Sequence, residues 1–542
     1  MKNLQTFIKS TFILLVLSLT LTSSGKVNKK RNAKAVQQES VVSYFSDVLN
    51  EKQVAFTESE EFGIEAIQEK TQLVWDAWKT ANANHSEQKL ISIESLKNGK
   101  SGSWNLPEEL EPNAIMPYYW GSKGTKPAAG YPLFLYMHGS GDKYGEWNTG
   151  LNICNGFNDA PSLYFIPQIP NTGSYYRWYQ KAKQYAWEKL LRLAFVSGNV
   201  DANRVYFFGI SEGGYGSQRL ASYYADYLAG AGPMAGGEPL KNAPAENCRH
   251  IAFSLLTGAE DNMFHRNTLT QYTKDEFKRL QTIYPKDFTH RIELIPNAGH
   301  GIDYTRTTPW LKQYTRNPHP KSFNWENYEM DGWYRKGFYN LAVVERSNPN
   351  QAFRTYYQVD IEDNQVDIKV ELLTYKTTEI DPTWQVHMKF ERTYYNAPKG
   401  KFIVYLNSSL VNLEKEVTLN VNGKQAFKGV LKPDLKHLVN SCATFFDPER
   451  LYPAAIEVDL QNLGNTSVTQ TSENKLNLTV NKNSVGFTLA DDELVQIFDV
   501  SGKLVFQKYL SVGTHTVVLN HGVYILRVGD KAEKFVIGTA SR

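Results

Sequence analysis

The alternation of hydrophobic and polar positions changes several times along the chain. Lys2 and Lys9 lead into an apolar run, Phe12–Leu17 extended through Leu19 and Leu21, which ends in Ser23, Ser24 and Gly25. A basic start, a short apolar middle and a small-residue end predict a secretory signal peptide over residues 1–25. The run is too short to span a bilayer. Residues 26–103 begin as a polar leader. Ile64, Ile67, Leu73, Val74 and Trp78 then recur at helical spacing and predict an amphipathic helix over Glu60–Ala83.

From residue 104 to 334 the pattern is that of an α/β domain. Buried-type strands are expected at Tyr131–Met137, Val205–Phe208, Ile251–Leu256 and Ile292–Ile295, with helices at Tyr185–Ala194 and Thr273–Ile283. Residues 318–327 read as an extended crossing segment. Over 335–460 short β-patterned runs follow one another, at Phe338–Val344, Phe353–Ile361, Val366–Leu373, Val386–Phe390, Lys401–Leu406 and Val417–Val421. They predict a β-sandwich that supports the α/β domain or binds carbohydrate. Residues 461–473 are a polar linker, and 474–542 carry a second set of short strands.

Composition narrows the possible partners. A chain of 542 residues has room for about three or four domains. A formal net charge of +3 with 21% charged residues gives no footprint for nucleic acid. An aromatic share of 13% at near-neutral charge suits a neutral ligand such as a carbohydrate. No segment after the first has the apolar length of a membrane span, and no Cys/His cluster has zinc spacing. No metal or other cofactor is expected. Of Cys154, Cys248 and Cys442, the first two fall in one expected domain and are the better pair for a bond in an exported protein.

The candidate chemistry lies at strand ends. Arg204–Gly216 reads RVYFFGISEGGYG: a β-prone run, then Gly209-Ile210-Ser211-Glu212-Gly213, then a helix-compatible segment. A serine on a strained strand-to-helix turn needs small neighbours two positions before and after. A hydroxyl nucleophile also needs a base, and an imidazole base needs a carboxylate. Asp261 follows the strand Ile251–Leu256, and His300 follows Ile292–Ile295. Glu260 and Asp303 compete for the acid's role, and His138, His265 and His290 for the base's.

The order Ser211, Asp261, His300, with the motifs GISEGG, LTGAED and NAGHG, resembles the α/β-hydrolase family over about Trp104–Arg316. The resemblance implies a mostly parallel sheet with helices on both faces and a serine esterase activity. It also implies that Ser211 is the nucleophile, His300 the base and Asp261 its orienting carboxylate. The Glu212 backbone N–H would be one oxyanion donor, and the loop at Gly139 and Ser140 would supply the second. A serine peptidase of the same fold and a non-catalytic carbohydrate-binding protein are the alternatives.

Tyr176, Arg177 and Trp178, in an aromatic loop, are candidate substrate contacts. Glu238, in the loop read over Gly230–Pro239, is another. At the far end, VQIFDVSGKLV, LNHGVYILRV and the terminal KFVI resemble the C-terminal sorting domain of type IX secretion cargo. That resemblance implies the type IX machinery as a partner, and a secreted or cell-surface location reached through the periplasm. An ester-bearing polysaccharide or oligosaccharide is the expected substrate.

Overall fold

The structure is a computed structural model that describes residues 38–463, 478–481, 483–489, 492–500, 502–529 and 531–538. The expected signal peptide and most of the expected linker lie outside the described residues. The chain divides into two compact units, Met1–Asn465 and Thr466–Arg542.

In the first unit, residues 38–49 form helix α1, and the amphipathic helix expected from Glu60 is α2, Ile67–Asn84, preceded by a 3-10 turn at Ile64–Ala66. Its apolar stripe, Val74, Ala77, Trp78 and Ala81, is buried in a satellite core with residues of a later helix, Leu435, Leu438, Val439 and Cys442.

Nine strands then build one mixed sheet: β1 (Glu94–Ser95), β2 (Ser101–Asn105), β3 (Ile115–Lys123), β4 (Tyr131–Met137), β5 (Ser162–Pro167), β6 (Val200–Ile210), β7 (Gly230–Met234), β8 (Ala252–Gly258) and β9 (His290–Ile295). Their order is β1-β3-β5-β4-β6-β7-β8-β9, with β2 paired to β3. Pairings from β5 through β9 are parallel. β3 runs antiparallel to both β2 and β5.

Every residue of β4, β5, β7 and β8 is buried, because both faces of the sheet are covered. On one face Leu133, Leu135, Phe165 and Phe207 share a core with Trp187 and Leu190 of a helix at Lys181–Val196 and Phe277 of a helix at Arg266–Ile283. On the other, Phe134, Tyr136, Tyr164, Tyr206 and Phe208 meet Trp147 and Leu311. In chain order the helices are α3 (Lys143–Gly156), α4 (Lys181–Val196), α5 (Glu212–Tyr223), α6 (Arg266–Ile283) and α7 (Thr307–Leu311). A mostly parallel sheet with helices on both faces is the layout of the α/β-hydrolase type.

Two expectations change here. Cys154 and Cys248 are both free and buried. They belong to the cores on opposite faces of the sheet, so the sheet itself separates the sulfurs. Gly230–Met234, read as loop, is strand β7. A Cβ on Gly232 would come within 2.6 Å of the Thr307 side chain, so the bare strand lets α7 lie against it.

The rest of this unit carries β10 (Ser322–Asn327), β11 (Gly337–Phe338), β12 (Leu341–Glu345), β13 (Arg354–Glu362), β14 (Gln365–Ile380), β15 (His387–Asn396), β16 (Lys401–Leu406), β17 (Glu416–Val421), β18 (Lys424–Val430), α8 (Leu435–Phe445) and β19 (Ala454–Asp459). A six-stranded sheet has the order β10-β13-β14-β17-β18 with β15 on β14, and a four-stranded sheet has the order β11-β12-β16-β19. Trp325 and Tyr357 of the first pack on Phe338 and Phe402 of the second. The segment read as an extended crossing therefore ends in an edge strand, β10. Long β14 and β15 form a hairpin closed at its tip by the Asp381 N–H donating to Val386 O at 2.9 Å.

The second unit contains β20 (Thr479–Val480), β21 (Ser484–Leu489), β22 (Glu493–Asp499), β23 (Leu504–Leu510), β24 (Gly513–Val518), β25 (Gly522–Val528) and β26 (Lys531–Ile537). Its three-stranded and four-stranded sheets enclose Val485, Phe487, Val495, Ile497 and Leu526. Among the described residues, no helix is long and apolar enough to cross a membrane.

Candidate active site

β6 ends at Ile210 and α5 begins at Glu212, so Ser211 alone makes the turn between them. It sits at φ 58° and ψ −114°. A side-chain-bearing residue in such a region carries about 1–3 kcal/mol of strain and persists only where its surroundings impose it. The Ser211 N–H donates to Met234 O at 2.9 Å, and its carbonyl accepts from Tyr215 N–H at 3.0 Å. A Cβ on Gly209 would lie 2.4 Å from Gly213 O, and one on Gly213 would lie 1.9 Å from Met137 O. Close backbone approach, rather than an unusual φ, makes both positions glycine.

Asp261 and His300 meet because the loops after β8 and β9 are laced together. Ala259 N–H donates to Ile295 O and Glu260 N–H to Ala298 O, each at 2.9 Å. Gly258 completes the fit, since a Cβ there would lie 1.9 Å from Gly299 O. His300 Nδ1 is 2.7 Å from Asp261 Oδ2, and Nε2 is 3.0 Å from Ser211 Oγ. With the ring proton on Nδ1, the free Nε2 lone pair faces the serine hydroxyl. Asp261 is buried, and its second oxygen accepts from Arg266 Nη1 at 2.9 Å.

Four of the rival groups are engaged elsewhere. Asp303 accepts from the Thr305 N–H and hydroxyl. His290 Nδ1 bonds Phe288 O, and His265 pairs with Asp381. His138 lies under the loop that faces Ser211. Its Nε2 accepts from Ile169 N–H at 3.1 Å and its Nδ1 donates to Gly139 O at 2.8 Å. Burial pushes this imidazole down to about 4, so it stays neutral and acts as a strut.

The Gly139–Ser140 loop lies against Ser211, where a Cβ on Gly139 would be 3.4 Å from Ser211 Cβ. Tyr176 and Trp178 hold it there. The Tyr176 hydroxyl donates to Gly139 O at 2.8 Å, and Trp178 Nε1 donates to His138 O at 2.9 Å. Both rings are buried, so neither offers a face to a ligand. Their place in the substrate set is corrected to support of this loop. Glu238 is buried too, accepting from Arg219 at 2.6 Å and Asn242 at 3.0 Å. Of the four expected substrate contacts, Arg177 alone keeps an exposed side chain, with Nη1 3.4 Å from Glu212 Oε2. Burial pushes the Glu212 carboxyl up to about 7, against the pull of Arg177.

Three contributors lie outside the expected site residues. Arg266 fixes Asp261 from its far side. Glu146, in the first turn of α3, has its carboxyl raised by burial, an effect the Gly139 backbone amide facing it opposes. Gly258 is the third. Of the three, Gly258 alone lies within a motif, LTGAED.

No family model matches the chain, and no curated protein is similar to it. Several solved structures share part of it. A thermostable esterase is 21% identical, with a TM-score of 0.33, over 41% of this chain and 64% of its own, so the chain spans less than two thirds of that esterase. A poly(3-hydroxybutyrate) depolymerase from Bordetella parapertussis is 14% identical, with a TM-score of 0.30, over 38% of this chain and 86% of its own. A ferulic acid esterase from the anaerobic fungus Anaeromyces mucronatus is 12% identical, with a TM-score of 0.29, over 42% and 91%.

Proposed function

We propose that the chain is a serine hydrolase that cleaves carboxylic esters, with acyl groups on polysaccharides, acetyl or feruloyl, as its substrates. The observation that carries this is the relay from Asp261 through His300 to Ser211, with bonds of 2.7 and 3.0 Å on a strained turn. Ser211 Oγ attacks the ester carbonyl carbon while His300 Nε2 takes its proton. The tetrahedral oxyanion is met by the Glu212 N–H at the start of α5 and by the loop. Because the Gly139 amide faces Glu146, we assign the loop donor to Ser140. His300 returns the proton to the departing alkoxide as the C–O bond breaks. Water then attacks the acyl-enzyme by the same route and frees the acid. Asp261 fixes the tautomer and stabilises the imidazolium, and Arg266 holds Asp261 in place.

The same proposal places the enzyme outside the cell. It rests on the residue 1–25 pattern and on the sorting-domain resemblance of residues 474–542. Amino-terminal sequencing of protein recovered from the medium or cell surface of the native host is expected to begin beyond residue 25. Recovery only of intracellular chain starting at Met1 would refute it.

The activity test compares wild type with Ser211→Ala on acetyl and feruloyl polysaccharide esters and on peptide anilides. Wild type is expected to cleave esters, and Ser211→Ala to lose about 10⁴-fold or more in kcat. Ester cleavage that survives Ser211→Ala would remove Ser211 from the mechanism. Turnover of anilides alone would make the chain a peptidase, and oligosaccharide binding without turnover a binding protein.

A further inference from the structure

We infer that the β14–β15 hairpin builds one wall of the active-site cleft, and that Trp384 at its tip, with Phe264, is a platform for a pyranose ring of the substrate's carbohydrate portion. The inference rests on the polysaccharide-ester reading above and adds the element that selects the sugar.

The hairpin belongs to the six-stranded sheet but runs along α6. At its base Arg392 pairs with Glu246 at 2.9 Å and approaches Glu276 at 3.9 Å. Further out, Lys389 Nζ lies 5.6 Å from the Tyr272 ring centroid. At the tip, Asp381 Oδ1 lies 3.0 Å from His265 Nε2, while Asp381 Oδ2 accepts the Trp384 backbone N–H. One carboxylate therefore ties the tip turn to the loop between β8 and α6. The Trp384 ring meets the Phe264 ring at 4.5 Å between centroids and 55° between planes.

That loop is the one that carries Asp261. Arg266 Cζ lies 5.2 Å from the Phe264 ring, and its Nη1 bonds Asp261. Trp384, Phe264, Arg266, Asp261, His300 and Ser211 thus form an unbroken series of contacts. The aromatic pair is not core: Phe264 is 37% and Trp384 44% exposed, and neighbouring Met263 is 50% exposed. The loop also holds Phe264 and His265 at φ 54° and 57°, two successive side-chain-bearing residues in left-handed backbone. Backbone of that kind is strained and clusters at ligand-facing segments.

The chemistry favours a sugar. The C–H face of a pyranose packs on an aromatic face, while its hydroxyls need donors and acceptors at the edge. The bonded pair of His265 and Asp381 stands beside the two rings and gives them a polar edge. The hairpin thereby sets Trp384 beside Phe264, the exposed ring of the β8–α6 loop, whereas Tyr176 and Trp178 are buried.

The test uses the full chain with Trp384→Ala and Trp384→Phe on three esters: acetylated xylo-oligosaccharide, methyl ferulate, and ring-free vinyl acetate. Trp384→Ala is expected to raise KM for the oligosaccharide about tenfold, with kcat within about twofold and vinyl acetate unchanged, and Trp384→Phe to recover most of the loss. An equal fall on all three esters would make the hairpin a brace for Asp261 and overturn the platform. A loss confined to methyl ferulate would place an aryl acyl group there instead, and no loss would remove the ring contact. A second arm needs no turnover: calorimetric binding of the same oligosaccharide to Ser211→Ala, with and without Trp384→Ala. Binding weakened about tenfold supports the platform. Equal binding, or none to Ser211→Ala itself, overturns it. If wild type cleaves no ester, the activity reading fails, while this arm still decides the platform.

Discussion

Two polar clusters of the first unit each hold buried aspartate and end in opposite conditions. Between the α/β sheet and the β-rich region, Asp226 accepts from Arg335 at 3.0 Å and from Arg450 at 2.5 Å. Asp447 accepts from Arg316 at 2.6 Å and from Arg450 at 2.8 Å. All five side chains are buried, and the Arg450 guanidinium also lies 4.0 Å from the Tyr227 ring centroid. Burial alone would raise the Asp447 carboxyl, but the two arginines hold it at about 2. At the candidate active site, by contrast, Asp261 is buried but the His300 side chain is 46% exposed, and the Ser211 hydroxyl lies 3.0 Å from His300 Nε2. Buried charge does not by itself mark a site. The ion network gives each carboxylate two guanidinium partners and works as a cross-link, whereas the triad keeps a hydroxyl on a strained turn open to solvent.

Breaking the network tests one side of this contrast. Arg450→Met leaves two buried carboxylates each short of a partner and is expected to cost about 3–5 kcal/mol of stability. Urea unfolding measures the loss, and kcat per folded molecule is expected to hold. A large kcat loss at unchanged stability would mean that the network is coupled to the chemistry. Gly258→Ala probes the other side, because its Cβ would push on Gly299 O and move His300. Misplacing the base by about an ångström costs on the order of 100-fold in kcat. Stopped-flow turnover at native-like circular dichroism checks it, and full activity would show that the loop absorbs the clash.

A smaller effect follows from Glu212. Its carboxyl is raised from 4.5 to about 7 in the folded chain. As pH rises from 4.5 to about 7, the unfolded chain ionises this group first, so stability falls across that window and levels off above it. Glu212→Gln keeps the backbone donor and removes the fall, a gain of roughly 2–3 kcal/mol above neutrality. Denaturant titrations of both proteins on either side of the window read the difference, and identical pH slopes would contradict the buried carboxyl.

The contrast also shows what a linear sequence carries. Strand ends were legible at Ser211, Asp261 and His300, since an apolar run followed by small residues marks both the strand and its exit. The hydrogen bonds among the three follow from sheet order. Facing was not legible: Tyr176 and Trp178 look like a ligand surface in sequence, yet Trp178 packs so close to Gly216 that a Cβ there would lie 2.6 Å away. Nor could spacing reveal that the sheet stands between Cys154 and Cys248. Strand β7 reads as loop because its glycines serve packing by α7 rather than a turn. Helix α8 lies in a stretch read as all-β, and its apolar stripe meets α2 from the other end of this unit. Glu146 and Arg266 act on neighbours through folded geometry, so no local pattern announces them.

The central claim is that Ser211 is a nucleophile activated by His300. Intact-mass spectrometry after exposure to a fluorophosphonate tests it most directly. The reagent forms an Oγ–P bond, fluoride leaves, and the hydroxyl proton passes to His300. One adduct is expected on wild type, mapped to Ser211, with none on Ser211→Ala and labelling slowed about 10³-fold or more on His300→Ala. An adduct at another residue, or equal labelling of Ser211→Ala, would contradict the account.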